Sequence, residues 1–362
     1  MVTKFFIIFL FLFTANSLRL FLIGGNTNEK DVLVYQQLAA SISGRPPQTK
    51  CDQNWDTTKC PRIAVATSAA SNSSDGNDAY SNDTESMGYY TMFNLFGMSP
   101  KHLSIHRDNY KTDGNPDTAQ GAANLAILKQ ADIIYFNGGD QSRHLRAWLN
   151  DDGSENKLLS VIKERAFNNE VVLAGTSAGS MIWGPWTAGG GSSFGILYFK
   201  NSVGLAPKKV TDGAVGGTGF FDTRNGTHGL QYEENGGKMN AFGWIDWHAD
   251  THFSARGRLG RLPALLVDTH QSLGIGIDEK TAFFFENGVG TVYGYNGATV
   301  CDMSNALIKP QTYFTAVGIR SHYLTPKDSY NFKEKSVISS KTLIKSPAYS
   351  GPTDSSDILK SY

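Results

Sequence analysis

The chain has 362 residues, 33 basic and 33 acidic side chains, three cysteines and 38 glycines. That length can bury a sizeable core, and an apolar fraction of 40% argues against disorder as the main state. Zero formal net charge argues against a nucleic-acid binder with a basic domain, and three cysteines are too few for a disulfide-built scaffold.

The chain opens with Lys4, nine apolar residues from Phe5 to Phe13, and the small polar stretch Thr14-Ala15-Asn16-Ser17. This order predicts a signal peptide over residues 1–17, cut after Ser17 with Ala15 at −3. The apolar run is about half of the roughly 20 residues that a membrane span needs. The expected location is therefore extracellular or the secretory lumen, with no membrane attachment after removal of the signal. Secretion permits disulfides, and Cys51 and Cys60 flank a short polar loop suited to a local bridge. Cys301 is then a buried small side chain in a strand. Sequons stand at Asn72, Asn82 and Asn225.

Short apolar runs then alternate with helical stretches. Strands are expected at 20–23, 62–66, 103–106, 132–136 and 171–174. Helices are expected at 31–42, 85–96, 118–130 and 155–167, the last with Leu158, Val161 and Ile162 at helical spacing. Such alternation predicts an α/β fold, a mostly parallel sheet with helices on both faces. Ligands bind beyond the carboxyl ends of such strands. Residues 184–247 read as a long irregular excursion over the surface. A helix returns around 256–267, and strands at 273–277, 282–285 and 291–295 suggest a small β-meander after residue 270. The main domain is placed at 18–304. Residues 305–362 form a polar C-terminal extension, loosely held from 329 onward.

The sharpest local signal is Val171-Val172-Leu173-Ala174-Gly175-Thr176-Ser177-Ala178-Gly179-Ser180. An apolar strand runs into Gly-x-Ser-x-Gly and an apolar helix start, the context of a nucleophile elbow. Ser177 would stand at the carboxyl end of its strand, with the Ala178 amide facing a developing oxyanion. A second glycine turn, Asn137-Gly138-Gly139-Asp140-Gln141, follows another strand. The amides of Gly139 and Asp140 could complete the oxyanion hole, and Gln141 could hold a polar group of a substrate. The plainer reading makes Asp140 a helix N-cap. A serine needs a base, and His252 stands out in Asp250-Thr251-His252-Phe253, followed by Arg256, Arg258 and Arg261. In one helix, Arg258 and Arg261 share a side while Arg256 projects elsewhere.

These residues resemble the cyanophycinase-like branch of peptidase family S51, relatives of dipeptidase E. The likeness is carried by Leu22-Ile23-Gly24-Gly25, Gly138-Gly139-Asp140-Gln141, the elbow and the segment 250–262, in the family's order. It implies a fold like class I glutamine amidotransferases and a triad with Ser177 as nucleophile and His252 as base. It also implies that Gln141, Asp250, Arg256, Arg258 and Arg261 line a substrate pocket, and that no cofactor or metal is needed. The substrate it implies is cyanophycin, a poly-aspartate with arginine on each β-carboxyl, cut to β-Asp-Arg dipeptides. Guanidinium forks suit a peptide of acidic character. The sequence departs from the family in two places. Thr251 stands where cyanophycinases carry Gln, and the Gly-x-x-Glu-like stretch after the elbow holds no carboxylate. Asp222, Glu233, Glu234 and Asp246 are the candidate replacements for the triad acid.

The leading expectation is a secreted serine exopeptidase. A silent peptide-binding protein of the same fold would explain the missing acid. A metal-dependent hydrolase could use His248 and His252, although that spacing binds metal from a helix and the segment reads as loop or strand. The sequence sets no oligomeric state and is compatible with a homodimer.

Overall fold

Leu20-Phe21-Leu22-Ile23 is apolar at every position, which suits a strand covered on both faces. The structure, a computed structural model, describes residues 18–81, 87–150, 152–190, 193, 230–232, 236–309 and 315–339. The expected signal segment, Asn82, Asn225, Asp222, Glu233 and Glu234 lie outside the described residues.

The strands of the first half are β1 (Leu20–Ile23), β2 (Arg62–Ala66), β3 (Ser99–Leu103), β4 (Ile133–Phe136), β5 (Val172–Thr176) and β6 (Trp186–Gly190). Then come β7 (Leu230–Tyr232), β8 (Gly236–Asn240), β9 (His248–Asp250), β10 (Leu273–Ile277), β11 (Thr281–Glu286) and β12 (Val289–Gly294). The last are β13 (Ala298–Asp302), β14 (Leu307–Lys309), β15 (Thr315–Val317), β16 (Arg320–Leu324), β17 (Ser329–Asn331) and β18 (Ser336–Ile338). The helices are α1 (Val32–Ala40), α2 (Ser73–Tyr80), α3 (Tyr89–Leu95), α4 (Tyr110–Asp113), α5 (Ala119–Gln130), α6 (Gln141–Trp148), α7 (Lys157–Phe167) and α8 (Arg261–Asp268).

Nine strands form the main sheet in the order β18-β17-β12-β11-β1-β5-β4-β2-β3. The run from β1 to β3 is parallel, and β11 joins β1 antiparallel. Side chains alternate across it. Phe21, Ile23, Val172 and Ala174 pack beneath Tyr35, Leu38 and Phe93 of α1 and α3. Leu20, Leu22 and Leu173 face Leu128, Leu145 and Ile162 of α5, α6 and α7. Helices thus cover both faces, as the alternating pattern predicts. Their starts are fixed by side chains: Asn72, Thr118, Asp140 and Asn156 each accept a backbone N–H from the first turn of α2, α5, α6 and α7. Asn72, in one of the sequons, is thereby engaged as a cap.

Several expectations are revised. The strand expected at 103–106 lies at Ser99–Leu103 and includes Pro100, which is tolerated because β3 is the sheet edge. The described ends of the 184–247 excursion are not a surface loop. Phe242 and Trp244 are buried against Trp183 and Phe136, and β6, β8 and β7 pair into a small sheet. The small β-meander expected after residue 270 is present, and in it β11 and β12 form a hairpin whose turn residues Asn287 and Gly288 both have positive φ. β10 instead enters a second sheet, β16-β13-β10-β9. The extension is not loose over 320–338. β16 pairs with β13, β17 with β12 and β18 with β17. Edge strands carry polar outward side chains, which hid them in the sequence. Cys51 and Cys60 are bridged, and Cys301 is a buried free thiol. Among the described residues no helix is long and apolar enough to cross a membrane.

Tyr330 of β17 is fully buried, and its hydroxyl has no partner among the described residues. Tyr330→Ala should cost about 3–5 kcal/mol in urea unfolding, whereas Tyr330→Phe should be near neutral. Equal stability of all three proteins would place β17 outside the core.

Candidate active site

Ser177 follows β5 directly and has φ 49°, a left-handed backbone that a non-glycine residue adopts only at a cost of about 1–3 kcal/mol. Its neighbours explain how the turn closes. A Cβ on Gly175 would lie 2.3 Å from Gly179 O, and one on Gly179 would lie 2.2 Å from Phe136 O. Only glycine lets the elbow fold this tightly against β4. Ser180, at the end of a 3-10 turn over Ser177–Ser180, stitches the elbow to β1. Its hydroxyl accepts the Ile23 N–H at 2.9 Å and lies 2.7 Å from Gly175 O.

His252 reaches the same place from the second sheet. The chain leaves β9, turns at His252 with φ 48°, and is pinned there by its N–H to Gly24 O at 2.8 Å. Gly25 sits so close that an added Cβ would lie 2.3 Å from His252 Cε1. His252 Nε2 lies 2.7 Å from Ser177 Oγ, and His252 Nδ1 lies 2.7 Å from Glu279 Oε1. A carboxylate only accepts, so the proton belongs on Nδ1, and Nε2 is free to accept from the serine. Asn26 Nδ2 donates to the other Glu279 oxygen at 2.8 Å. Burial holds the His252 imidazole below its ordinary range, opposed by the Glu279 hydrogen bond. The hydrogen bonds from His252 and Asn26 hold the Glu279 carboxyl low.

Glu279 was not among the candidate acids. Asp246 is exposed and makes no contact with His252, and the other three lie outside the described residues. The signal for Glu279 was weak. It is a turn residue between β10 and β11, 27 positions after the histidine.

A cleft of about 910 Å³ opens over Ser177 and His252, walled by Gly25, Asn26, Tyr89 and Gly138. Glu29 and Asp78 are among the residues that line it and, among the described residues, no lysine or arginine does. Of the three expected oxyanion donors, Asp140 is excluded. Its N–H already donates to Ala69 O at 3.2 Å, and its side chain caps α6. The Gly139 and Ala178 amides are left. Ala178 lies in the first turn after the elbow, where helical N–H groups lack an internal acceptor.

The residues expected to line a substrate pocket separate into groups. Gln141 donates its amide to Ala188 O of β6. Asp250 is 1% exposed and Arg261 2% exposed. They pair through Arg261 Nε to Asp250 Oδ2 at 2.9 Å, and Arg258 Nη1 donates to Asp250 Oδ1 at 3.1 Å. Burial works against the Asp250 charge, but Arg261 and Arg258 outweigh it and hold this carboxyl low. This cluster braces the start of α8 and does not line the cleft, which corrects the expectation for Asp250, Arg258 and Arg261. Arg256 is exposed, and its charge is felt by both His252 and Glu279. The paired-histidine metal reading also fails on geometry. His248 Nδ1 meets Trp186 O and its Nε2 meets Thr269 Oγ1, both at 2.8 Å. Both His252 nitrogens are committed as well.

Two measurements follow from this geometry. Labelling of Ser177 by a fluorophosphonate requires neutral His252, so the rate should be lost as pH falls through a midpoint below 6.5. Glu279→Gln should lower that midpoint further, since the carboxylate raises it, and reduce the plateau by about 10²-fold or more. A wild-type midpoint above 6.5 would contradict the arrangement. Separately, Asp250→Asn should destabilise the fold by about 3–5 kcal/mol by stranding a buried guanidinium. Unchanged stability with a raised KM would return Asp250 to substrate binding.

Residues 77–196 match the family model described as Peptidase family S51. A cyanophycinase of Trichormus variabilis is 25% identical over 225 residues, 59% of this chain and 61% of that protein. A cyanophycinase of Geminocystis herdmanii is 27% identical over 213 residues, 57% of this chain and 64% of that protein. The chain thus spans about three fifths of the curated relatives it matches. A crystal structure of a peptidase from an acI-B1 Actinobacterium has a similar fold, with TM-score 0.52 and 16% identity over 88% of this chain and 99% of that one. Residues 77–196 are thus similar to peptidase family S51, with cyanophycinases among the relatives, and the fold resembles that of a solved peptidase.

Proposed function

We propose that this chain is a serine-type exopeptidase that hydrolyses Asp-containing or β-aspartyl-linked peptides. The observation that carries the reading is the line from Ser177 Oγ through His252 to Glu279, two contacts of 2.7 Å at the floor of a cleft. In this reading Ser177 Oγ attacks the scissile carbonyl while His252 Nε2 takes its proton. Glu279 stabilises the imidazolium, and the Gly139 and Ala178 amides hold the oxyanion. His252 then returns the proton to the leaving amine. Water, deprotonated by the same imidazole, releases the acyl group.

The charges around the cleft favour a substrate that carries both signs. Glu29 and Asp78 suit a cationic side chain, and Arg256, exposed near the catalytic pair, suits a carboxylate. An aspartyl peptide bearing arginine has both. The silent-binder alternative was motivated by a missing acid, and Glu279 supplies a carboxylate in that place. Secretion is part of the same proposal, supported by the order of residues 1–17 and by the Cys51–Cys60 bridge. The amino-terminal sequence of the exported protein should begin at Leu18.

Incubation with cyanophycin and with α- and β-aspartyl dipeptides, followed by product analysis, tests the activity. The wild-type chain should release β-Asp-Arg or cleave an aspartyl dipeptide, and Ser177→Ala should lose at least about 10³-fold in turnover at unchanged unfolding midpoint. Turnover retained in Ser177→Ala, or no hydrolysis of any of these together with no fluorophosphonate labelling, would overturn the reading.

A further inference from the structure

The loop that carries Glu279 is held from several sides. Lys280 N–H donates to Gly25 O at 3.0 Å, and Gly24 N–H donates to Thr281 O at 2.9 Å, so the loop rides on the end of β1. Asn296 Nδ2 donates to Glu279 O at 2.8 Å, and Asn26 grips the carboxylate. A further hold comes from β16. Tyr323 Oη donates to Asp278 Oδ2 at 3.0 Å, across 45 residues of chain. The other Asp278 oxygen accepts the Ser254 N–H at 2.9 Å. Asp278 is buried and directly precedes Glu279, and Ser254 lies two residues past His252. One carboxylate therefore ties the loop of the acid to the loop of the imidazole.

The Tyr323 ring is seated over Gly297, where an added Cβ would lie 2.4 Å from Cζ. Gly297 O in turn accepts the Asp278 N–H at 3.1 Å. Burial and the neighbouring Asp278 charge push the Tyr323 phenol up, so it remains a donor at neutral pH. The loops it serves need such a hold. His252 and Lys280 both have left-handed backbones, φ 48° and 58°, and Glu279 is part-exposed on a turn. Catalytic contacts tolerate displacements of only about 0.5 Å.

We infer that Tyr323 is a positioning residue that, through Asp278, sets the Glu279 loop against His252, making strand β16 part of the catalytic unit. The inference rests on the serine-peptidase reading above. It explains why β16, in an extension that looks dispensable in sequence, is paired along its length with β13. Without the hydroxyl, the Asp278 carboxylate loses one of its two anchors, and the Glu279–His252 contact loosens while the chain stays folded.

The test uses the full chain and three variants: Tyr323→Phe, Glu279→Gln and the double variant. Fluorophosphonate labelling is followed against pH, and unfolding in urea in parallel. Tyr323→Phe should label about three- to tenfold more slowly, the scale of one hydrogen bond. Its ascending pH limb should shift to lower pH, since the Glu279 contact raises the His252 pKa, and its unfolding midpoint should fall only slightly, with the transition still cooperative. In the Glu279→Gln background the same change should matter by less than about twofold, because the brace acts through Glu279. Wild-type rate and limb in Tyr323→Phe, or an undiminished slowdown in the Glu279→Gln background, overturns the brace. Wild-type labelling by Glu279→Gln would instead sink the triad, and the brace with it.

Discussion

The 2.7 Å contact between Ser177 Oγ and His252 Nε2 joins residues 75 positions apart, and both ends stand on left-handed backbone. Neither conformation would persist in a short peptide, since each costs about 1–3 kcal/mol. The surroundings over-determine them. At the serine, glycines at 175 and 179 let strand and turn approach within a few ångströms, and Ser180 ties that turn to β1. At the histidine, Gly24 fixes the backbone and Gly25 leaves room for the ring. The same end of β1 thus serves both partners, and the sheet core beneath holds it in place.

Charge is distributed around this contact in two ways. Asp250 is paired with both Arg258 and Arg261 in a largely buried group, and the three stiffen the start of α8 behind His252. The charges left to act outward are Glu29 and Asp78 on the cleft and Arg256 near its rim. An apparently basic segment therefore presents one exposed guanidinium near the site, and the cleft itself is acid-lined. That reverses the electrostatic picture suggested by three arginines close together in sequence.

Much of the parallel half of the fold was legible from the chain. Most of its strands are short, mainly apolar and separated by helical spacing, and the elbow is a local pattern of glycines between strand and helix. Ser177 and His252 could be singled out on those terms. Glu279 could not, because its role depends on a loop of the second sheet returning to β1, and one exposed turn carboxylate looks like any other. The burial of Asp250 and Arg261 was hidden for a related reason: a charged residue reads as solvated until its partner is placed. Polar edge strands such as β16 lack the alternation that marks a half-covered strand, so the extension passed for a tail. Asp140 is the reverse case, where the plainer reading as a helix cap describes its side chain.

β1 has as its two neighbours β5, beginning at Val172, and β11, beginning at Thr281. On a growing chain, then, β1 emerges long before anything it can pair with. Pairings this remote in sequence are slow to form. The nucleophile, the imidazole and the carboxylate meet only at the end of that strand, with β16 added later still. A chain that has not yet made β11 therefore holds Ser177 and His252 without the Glu279 loop packed on β1, so the proposed site assembles only after both neighbours of β1 are made.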